Sequence, residues 1–266
     1  PQVAGKGIMQ LKTAGIKVDT GLLTTQALAI NPGFNKRMLQ QLPWVCCKLA
    51  MSVDGRTAPA NRQRVNITGA SALHDVQLLR ARADVVMTGI GTVQADNPAL
   101  NVRLKATELP NLKSDMPVPQ PWRIILDTHL RISPNAQILQ IPGRTSIFCS
   151  NNADSQRIKT LTALGIDIQQ FSVTLSGRIN LKSALHWVAK QEINEVLLEC
   201  GPTLAGAALE AHLIDELIIY IAPHLMGDQA MSLFHLPSLE NNQQRINLKI
   251  KEIQSIGEDW RLKAYL

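Results

Sequence analysis

Two glycine-rich turns in the sequence could hold a phosphate group. Residues 89–92 and 201–206 each follow an apolar segment of strand length and precede a segment of helical character. Glycine lets backbone N–H groups approach a phosphate, and the following helix adds partial positive charge at its N-terminus. Gln94 stands where a third glycine would complete the pattern G-x-G-x-x-G after Gly89. One such turn can be purely structural, but two at the carboxyl ends of strands predict a nucleotide site.

Lys48 and Glu199 are charged residues in apolar surroundings. Lys48 interrupts the strand-sized segment 44–50, and a lysine buried there is costly unless it is paired or functional. Glu199 ends an apolar segment just before residues 201–206, where a carboxylate could cap the next helix or hold ligand hydroxyls. Two simpler interpretations stay open: Lys48 could be an edge residue whose ammonium reaches solvent, or the two residues could form a structural ion pair.

Arg80 and Arg103 could bind an anion. Arg80 lies in an apolar part of a helical stretch, and Arg103 follows the extended segment 100–102, although each could equally form a surface ion pair. The formal net charge of +6 favours anionic partners, which could be nucleic acid or small phosphorylated ligands. Basic residues are dispersed and aromatic residues make up only 4% of the chain, so we expect no nucleic-acid partner.

The elements that must position these residues alternate between strands and helices from Trp44 onward. Apolar runs predict strands at 44–50, 85–88, 123–126, 146–149, 166–168, 195–198 and 217–221. Helical patterns are predicted at 71–83, 154–164, 181–190 and 202–211, with Ser71 capping the first. The tail, 246–265, predicts an antiparallel hairpin. This order indicates an α/β fold with a mostly parallel central sheet flanked by helices.

The segment before Trp44 has a different character. Helices are predicted at 4–14 and at 24–40, the second interrupted at 31–33, and a short strand is predicted at 16–18. The chain has 266 residues, 45% of them apolar, and can therefore build a core. No apolar run reaches the length of about 20 residues that a membrane span needs, so we expect no membrane partner.

The four cysteines do not form a metal motif. Cys46 and Cys47 are adjacent, Cys149 and Cys200 stand alone, and no Cys-x-x-Cys or His-x-Glu pattern occurs. We therefore expect no bound metal. Buried, reduced thiols of a cytoplasmic protein are the simplest interpretation.

Several segments together resemble the reductase domain of bacterial bifunctional riboflavin-biosynthesis deaminase/reductases. They are KLAMSVDGRTA (48–58), LLRARAD (78–84), GIGTVQADNP (89–98), LDT (126–128), ECGPTLAG (199–206), DEL (215–217) and IAP (221–223). They occur in the family's order. Residues 1–43, with VAGKG (3–7) and NPGF (31–34), resemble the end of the cytidine-deaminase-like domain that precedes this reductase. The resemblance implies two parts, 1–43 and 44–266, with the zinc motifs of the deaminase upstream of Pro1.

The resemblance also implies a dihydrofolate-reductase-like fold, NADPH as cofactor and a homodimer. The implied reaction reduces 5-amino-6-(5-phosphoribosylamino)uracil to its ribitylamino counterpart. The residues implied to line NADPH are Ala50, Thr92, Asp96, Thr128, Gly201, Pro202, Thr203, Leu204, Ala205, Gly206 and Ala207. Arg80, Leu100, Arg103 and Glu199 are implied to contact the phosphorylated substrate, while Lys48 and Glu199 are our candidates for the catalytic residues.

One loop departs from the family pattern. Residues 62–66 read Arg-Gln-Arg-Val-Asn, so Arg64 replaces a substrate-contacting serine and Asn66 replaces a cofactor-contacting tryptophan. Ligand contacts in this loop cannot be carried over, although Arg64 could still reach an anion. Two other functions stay open: a reductase of the undeaminated diaminopyrimidine, and a non-catalytic module that binds nucleotides or RNA.

Overall fold

The computed structural model describes residues 5–61, 65–110, 112–240 and 244–266. Its strands are β1 (Trp44–Ser52), β2 (Arg56–Ala58), β3 (Val85–Gly89), β4 (Trp122–Leu126), β5 (Thr145–Ser150), β6 (Asp167–Phe171), β7 (Glu195–Glu199), β8 (Glu216–Ala222), β9 (Met231–Ser232), β10 (Lys249–Ile256) and β11 (Asp259–Tyr265). Its helices are α1 (Lys6–Thr13), α2 (Thr24–Ile30), α3 (Pro32–Gln40), α4 (Ala70–Arg82), α5 (Ile90–Asp96), α6 (Gln137–Gln140), α7 (Ser155–Ala163), α8 (Leu181–Lys190) and α9 (Pro202–Glu210). A short 3₁₀ turn spans Ala106–Glu108.

Nine strands form one sheet in the order β10, β11, β8, β1, β7, β3, β4, β5, β6. All neighbours from β8 to β6 are parallel, whereas β11 runs antiparallel to both β8 and β10. The predicted α/β class and the C-terminal antiparallel hairpin are therefore confirmed. Strand β7 comes late in the chain and lies between β1 and β3, which brings residues distant in sequence together.

Both faces of the central sheet are buried, which explains why its strands are continuously apolar. Every residue of β4 is buried. One face packs Val45, Leu49, Met87 and Leu198 beneath α8 and α9. The opposite face packs Val86, Ile125, Ile147 and Leu197 together with side chains of α5 and α7.

Two local predictions are wrong. Ser71 was predicted to cap α4, but the helix begins at Ala70 and Gly69 occupies the N-cap position. The backbone N–H of Gly69 donates to Asp259 Oδ2 at 2.8 Å, so a carboxylate from the C-terminal hairpin supplies the acceptor there. Residues 16–18 form no strand, since no strand among the described residues pairs with them; Ile16 and Lys17 are exposed and Val18 is half-buried.

Helix α3 is attached to the sheet. The Lys36 ammonium donates to Asp215 Oδ2 at 2.6 Å, and Arg37 Nε donates to Asn194 Oδ1 at 2.7 Å. Gly33 is buried so close to Asn194 that an added Cβ would lie 2.6 Å from its carbonyl oxygen. The described helices include none whose length and apolar character would let it cross a bilayer.

Candidate functional site

The parallel strands end along one edge of the sheet, and the charged candidates meet there. In the ladder between β1 and β7, Lys48 lies directly opposite Glu199. Residues in register on parallel strands project from the same face, so the lysine and the carboxylate share one surface. Helix α4 covers this surface and adds Arg80, which lies 119 residues from Glu199 in the chain.

Arg80 binds Glu199 through two parallel hydrogen bonds. Arg80 Nε donates to Oε1 at 2.6 Å and a terminal nitrogen donates to Oε2 at 2.9 Å, with both side chains about nine-tenths buried. Burial alone would raise the pKa of Glu199, but the charges of Arg80, Lys48 and Arg103 hold it below its usual range. Glu199 is therefore an ionised acceptor whose orientation is fixed by a guanidinium.

Lys48 has no ion-pair partner within 4.0 Å among the described residues, so the interpretation of a direct Lys48–Glu199 ion pair is wrong. Its ammonium lies 5.7 Å from the centre of the Tyr220 ring, whose hydroxyl donates to Asp75 at 2.6 Å. Burial lowers the pKa of Lys48, and Glu199 offsets only part of this effect. Sequence reasoning missed Tyr220 because an aromatic residue within an apolar strand is not distinguishable from an ordinary core residue.

The segment that carries Leu100 and Arg103 runs beside this cluster. Arg80 donates a third hydrogen bond, 3.3 Å long, to the carbonyl of Asn101. The side chain of Leu100 is buried in the core, so only its backbone can reach a ligand. Arg103 is exposed, and among the described residues its guanidinium has no carboxylate within 4.0 Å.

The two glycine turns lie side by side, because β3 and β7 are neighbours in the sheet. A methyl group of Leu204 lies against Gly89, 3.3 Å from where a Cβ would stand. A Cβ added at Gly91 or at Gly201 would meet nothing within 4 Å, so open space lies above both turns. The buried hydroxyl of Thr88 has no hydrogen-bond partner among the described residues.

The remaining cofactor candidates divide into two groups. Ala50, Thr92, Asp96, Thr128, Pro202, Thr203 and Ala207 retain exposed surface at or beyond the strand ends. Ala205 is instead fully buried in the core, and Gly206 packs so tightly on the carbonyl of His235 that a Cβ would overlap it. The backbone N–H of Ala205 already donates to the carbonyl of Gly201 at 3.1 Å, so neither of these two buried residues is open to a cofactor, in contrast to the expectation from the resemblance.

Within the described residues, neither the divergent loop 62–66 nor a cluster of metal ligands contributes a further residue to the candidate site. Arg62 and Arg64 lie outside the described residues, and Asn66 is exposed. Among the described residues, no group of three or more His, Cys, Asp or Glu side chains could hold a metal ion. The four cysteines are free thiols, of which Cys47 and Cys149 are buried.

The chain is similar to known proteins over nearly its whole length. The family model described as "RibD C-terminal domain" matches residues 43–262. Riboflavin biosynthesis protein RibD of Escherichia coli (strain K12) is 40% identical over 97% of this chain and 70% of the relative. RibD of Haemophilus influenzae is 40% identical over 98% of this chain and 69% of the relative. The solved structure of Acinetobacter baumannii RibD, form 1, has a TM-score of 0.85 and 38% identity, and it covers 100% of this chain and 69% of its own.

Proposed function

The chain belongs to the RibD C-terminal domain family and is a pyrimidine reductase of riboflavin biosynthesis, and we propose on that premise which reaction it performs. It transfers a hydride from NADPH to C1′ of 5-amino-6-(5-phosphoribosylamino)uracil, giving the ribitylamino product. The observation that carries the proposal is the buried pair Arg80–Glu199 with Lys48 beside it, next to two glycine turns that face open space. A cluster of this kind at the carboxyl ends of parallel strands is typical of ligand sites in α/β folds.

The residues at the strand ends fit a dinucleotide. Open space above Gly91 and Gly201 leaves room for a diphosphate, and the first N–H groups of α9 have no partner within the helix. Thr92 supplies a hydroxyl donor, while Asp96 suits ribose hydroxyls because a carboxylate repels a phosphate. Such reductases depend on a nucleotide cofactor, and we assign NADPH, which supplies the hydride when bound.

The substrate end of the proposed site is cationic. Arg103 is exposed, so its guanidinium is free to bind the 5′-phosphate, which we assign to it as a bidentate contact. Arg80 contributes mainly by holding Glu199, because both edges of its guanidinium are already engaged. Lys48 has only donors and suits the ring carbonyl that deamination creates, whereas it would oppose an amino group at the same position.

The reaction requires a proton to move at the ribose. When the ring opens, the C1′–O4′ bond breaks, O4′ gains a proton and the exocyclic nitrogen loses one as C1′=N forms. The hydride then adds to C1′, and the nitrogen takes a proton from solvent. Glu199 accepts hydrogen bonds from the ribose hydroxyls and helps to move the first proton. The chain's main task is therefore positioning rather than covalent catalysis.

The test is a steady-state assay of NADPH oxidation with the two candidate pyrimidines. We expect turnover with the aminouracil phosphate and weaker turnover with the diaminopyrimidine. The opposite preference would favour the reductase of the undeaminated compound. Absence of turnover together with RNA binding that weakens steeply with salt would overturn the proposal in favour of a binding module.

Three properties of the whole protein belong to the same proposal. We propose that the enzyme is a homodimer, that it works in the cytoplasm, and that residues 44–266 form the reductase domain while 1–43 end a deaminase-like domain. Light scattering that gives twice the chain mass of 29.2 kDa would support the dimer. Elemental analysis should find no stoichiometric zinc, and one zinc per chain would contradict the assigned parts.

A further inference from the structure

Residues 100–103 form a strap that crosses the candidate site without belonging to a helix or a strand. Its backbone therefore lacks the regular partners that secondary structure supplies, and each polar group needs another one. Leu100 adds a cost of its own, since its φ of 51° lies in the left-handed region that side chains other than glycine rarely adopt. Something outside the strap must hold this conformation.

Gln120 binds the middle of the strap as a neighbouring strand would. Its Oε1 accepts from the backbone N–H of Val102 at 3.0 Å, and its Nε2 donates to the carbonyl of the same residue at 3.0 Å. One side-chain amide thus satisfies both backbone groups of a buried residue. Glutamine is suited to this because its amide carries an acceptor and donors side by side.

Gln77 binds the end of the strap. It lies on α4, three residues before Arg80, and it is buried although it is polar. Its Oε1 accepts from the backbone N–H of Arg103 at 2.9 Å. Gln77 and Arg80 therefore fix the strap from the same helix, because Arg80 donates to the carbonyl of Asn101.

We propose that Gln77 and Gln120 are positioning residues that hold the strap in the conformation that presents Arg103 to the phosphate of the substrate. The proposal rests on the function assigned above, since it takes Arg103 to be the phosphate ligand. Neither glutamine needs to touch the substrate. Each acts through the backbone of the strap, so its loss should weaken substrate binding and leave the hydride-transfer step and NADPH binding nearly unchanged.

The first measurement follows the strap without any ligand. Hydrogen exchange at the amides of Val102 and Arg103 should accelerate roughly tenfold or more in Gln120→Met and Gln77→Met, because each amide loses its acceptor. The matched control is Gln140→Met, which removes an exposed bond of the same kind, from Nε2 to the carbonyl of Pro134 at 2.9 Å. Unchanged exchange in both strap variants would overturn the proposal, whether or not the protein turns over the aminouracil.

The second measurement, of KM and kcat, separates a positioning role from a general loss of stability. Arg103→Ala should raise KM for the aminouracil phosphate by roughly 10–150-fold, the worth of a lost charged hydrogen bond, while KM for NADPH stays within about twofold. Gln120→Met should raise the same KM by roughly 5–30-fold, with kcat within about twofold. Gln120→Glu keeps an acceptor for the backbone N–H of Val102 but loses the donor to its carbonyl. The exchange rate of the Val102 amide in this variant should therefore lie between those of wild type and Gln120→Met.

The double variant Arg103→Ala/Gln120→Met decides the mechanism. If Gln120 acts through Arg103, the second substitution should add little to KM, because the presented group is already missing. A fully additive effect would overturn the proposal, as would faster exchange in Gln120→Met with an unchanged KM. Gln120 is exposed, so its variant should fold even if Gln77→Met does not. A wild-type protein without turnover would refute the proposed function. The exchange data would in that case still show whether Gln77 and Gln120 hold the backbone of the strap.

Discussion

Glu199 is shared unequally between two cations. Arg80 holds it through two short hydrogen bonds, whereas Lys48 lies opposite it in the ladder and forms no ion pair within 4.0 Å among the described residues. A guanidinium that is already engaged fixes a carboxylate in place, and an ammonium without a carboxylate in contact is left with donors for a ligand. At the scale of residues, we therefore assign Arg80 to holding Glu199 and Lys48 to binding the ligand, because only Arg80 is paired with the carboxylate.

Lys48→Met should reduce activity without reducing stability. We expect kcat/KM for the aminouracil to fall by roughly 10–1,000-fold and its advantage over the diaminopyrimidine to narrow. The control is Lys249→Met on the exposed strand β10, which should leave both substrates unaffected. An unchanged ratio between the two pyrimidines, together with lower stability, would mean that Lys48 is structural.

The pH dependence of Lys48 gives an independent check. Burial lowers its pKa from the ordinary value of 10.5, so the unfolded chain binds more protons between the two pKa values. The charged lysine thus costs stability in full below its folded-state pKa, and this cost fades as the pH rises from that value to the unfolded-state pKa of 10.5. We expect Lys48→Met to melt no lower than wild type at pH 7 by circular dichroism. The alkaline fall of kcat/KM in wild type, at a pH below 10.5, should be absent in the variant.

Thr92→Val should weaken NADPH binding by about 1 kcal/mol or more, the worth of one hydrogen bond to a charged or polar group. Valine has nearly the same shape, so the fold should be unaffected. Titration calorimetry with NADPH measures the loss, and Thr160→Val on the exposed surface of α7 is the control. Equal affinities for NADPH would remove the Thr92 hydroxyl from the cofactor site.

At the scale of elements, the two glycine turns differ in what their glycines do. Gly91 faces open space near the start of α5, whereas Gly206 lies inside α9 and lets that helix pack on the carbonyl of His235. The same residue type therefore leaves room for a ligand in one turn and permits close packing in the other. Sequence alone treats both as parts of a phosphate-binding pattern.

Gly206→Ala and Gly91→Ala should consequently have opposite effects. The added methyl group at position 206 should destabilise the fold by roughly 1–3 kcal/mol through overpacking. At position 91 alanine favours the helix by about 0.5–1 kcal/mol, and the methyl group should enter the cofactor space. Denaturant titration and NADPH affinity together test this: we expect Gly206→Ala to lose stability and Gly91→Ala to lose affinity. Equal stabilities for the two variants would contradict the packing role of Gly206.

At the scale of the whole molecule, the structure ties α3 to the central sheet. Lys36 bonds to Asp215 just before β8, Arg37 bonds to Asn194 just before β7, and Gly33 packs on Asn194. A division after residue 43 remains a prediction, but α3 contributes contacts to the part beyond that boundary. Removal of α3 should therefore lower the stability of the sheet.

Two truncations test this directly. A chain that starts at residue 32 should melt within about 2 °C of the full chain, whereas one that starts at residue 43 should melt roughly 5–10 °C lower, since it loses two or three charged or buried contacts. Thermal denaturation of both proteins is the measurement. Lys36→Met in the full chain should shift the melting temperature in the same direction, and equal melting temperatures for the two truncations would show that α3 is dispensable.

The sequence by itself determined the class of fold and the positions of most elements. Helix α8 has the predicted bounds, and the C-terminal hairpin is present. Strand β1 and the strands from β3 to β8 begin or end within a few residues of the apolar runs, whereas the short strands β2 and β9 were not predicted. These features are local, because periodicity and glycine turns report on neighbours in the chain. The motifs around Lys48, Glu199 and the two glycine turns also identified the family.

Only the tertiary structure decided which of these residues meet. That Arg80 rather than Lys48 pairs with Glu199, and that Gln120 holds Val102, depends on side chains brought together by the order of the strands and the packing of α4. Leu100 and Ala205 were predicted to contact ligands, yet their side chains are buried in the core. No local pattern encodes such outcomes, because burial and pairing are properties of the packed chain, in which β7 inserts between β1 and β3 and places Glu199 against residues more than a hundred positions away.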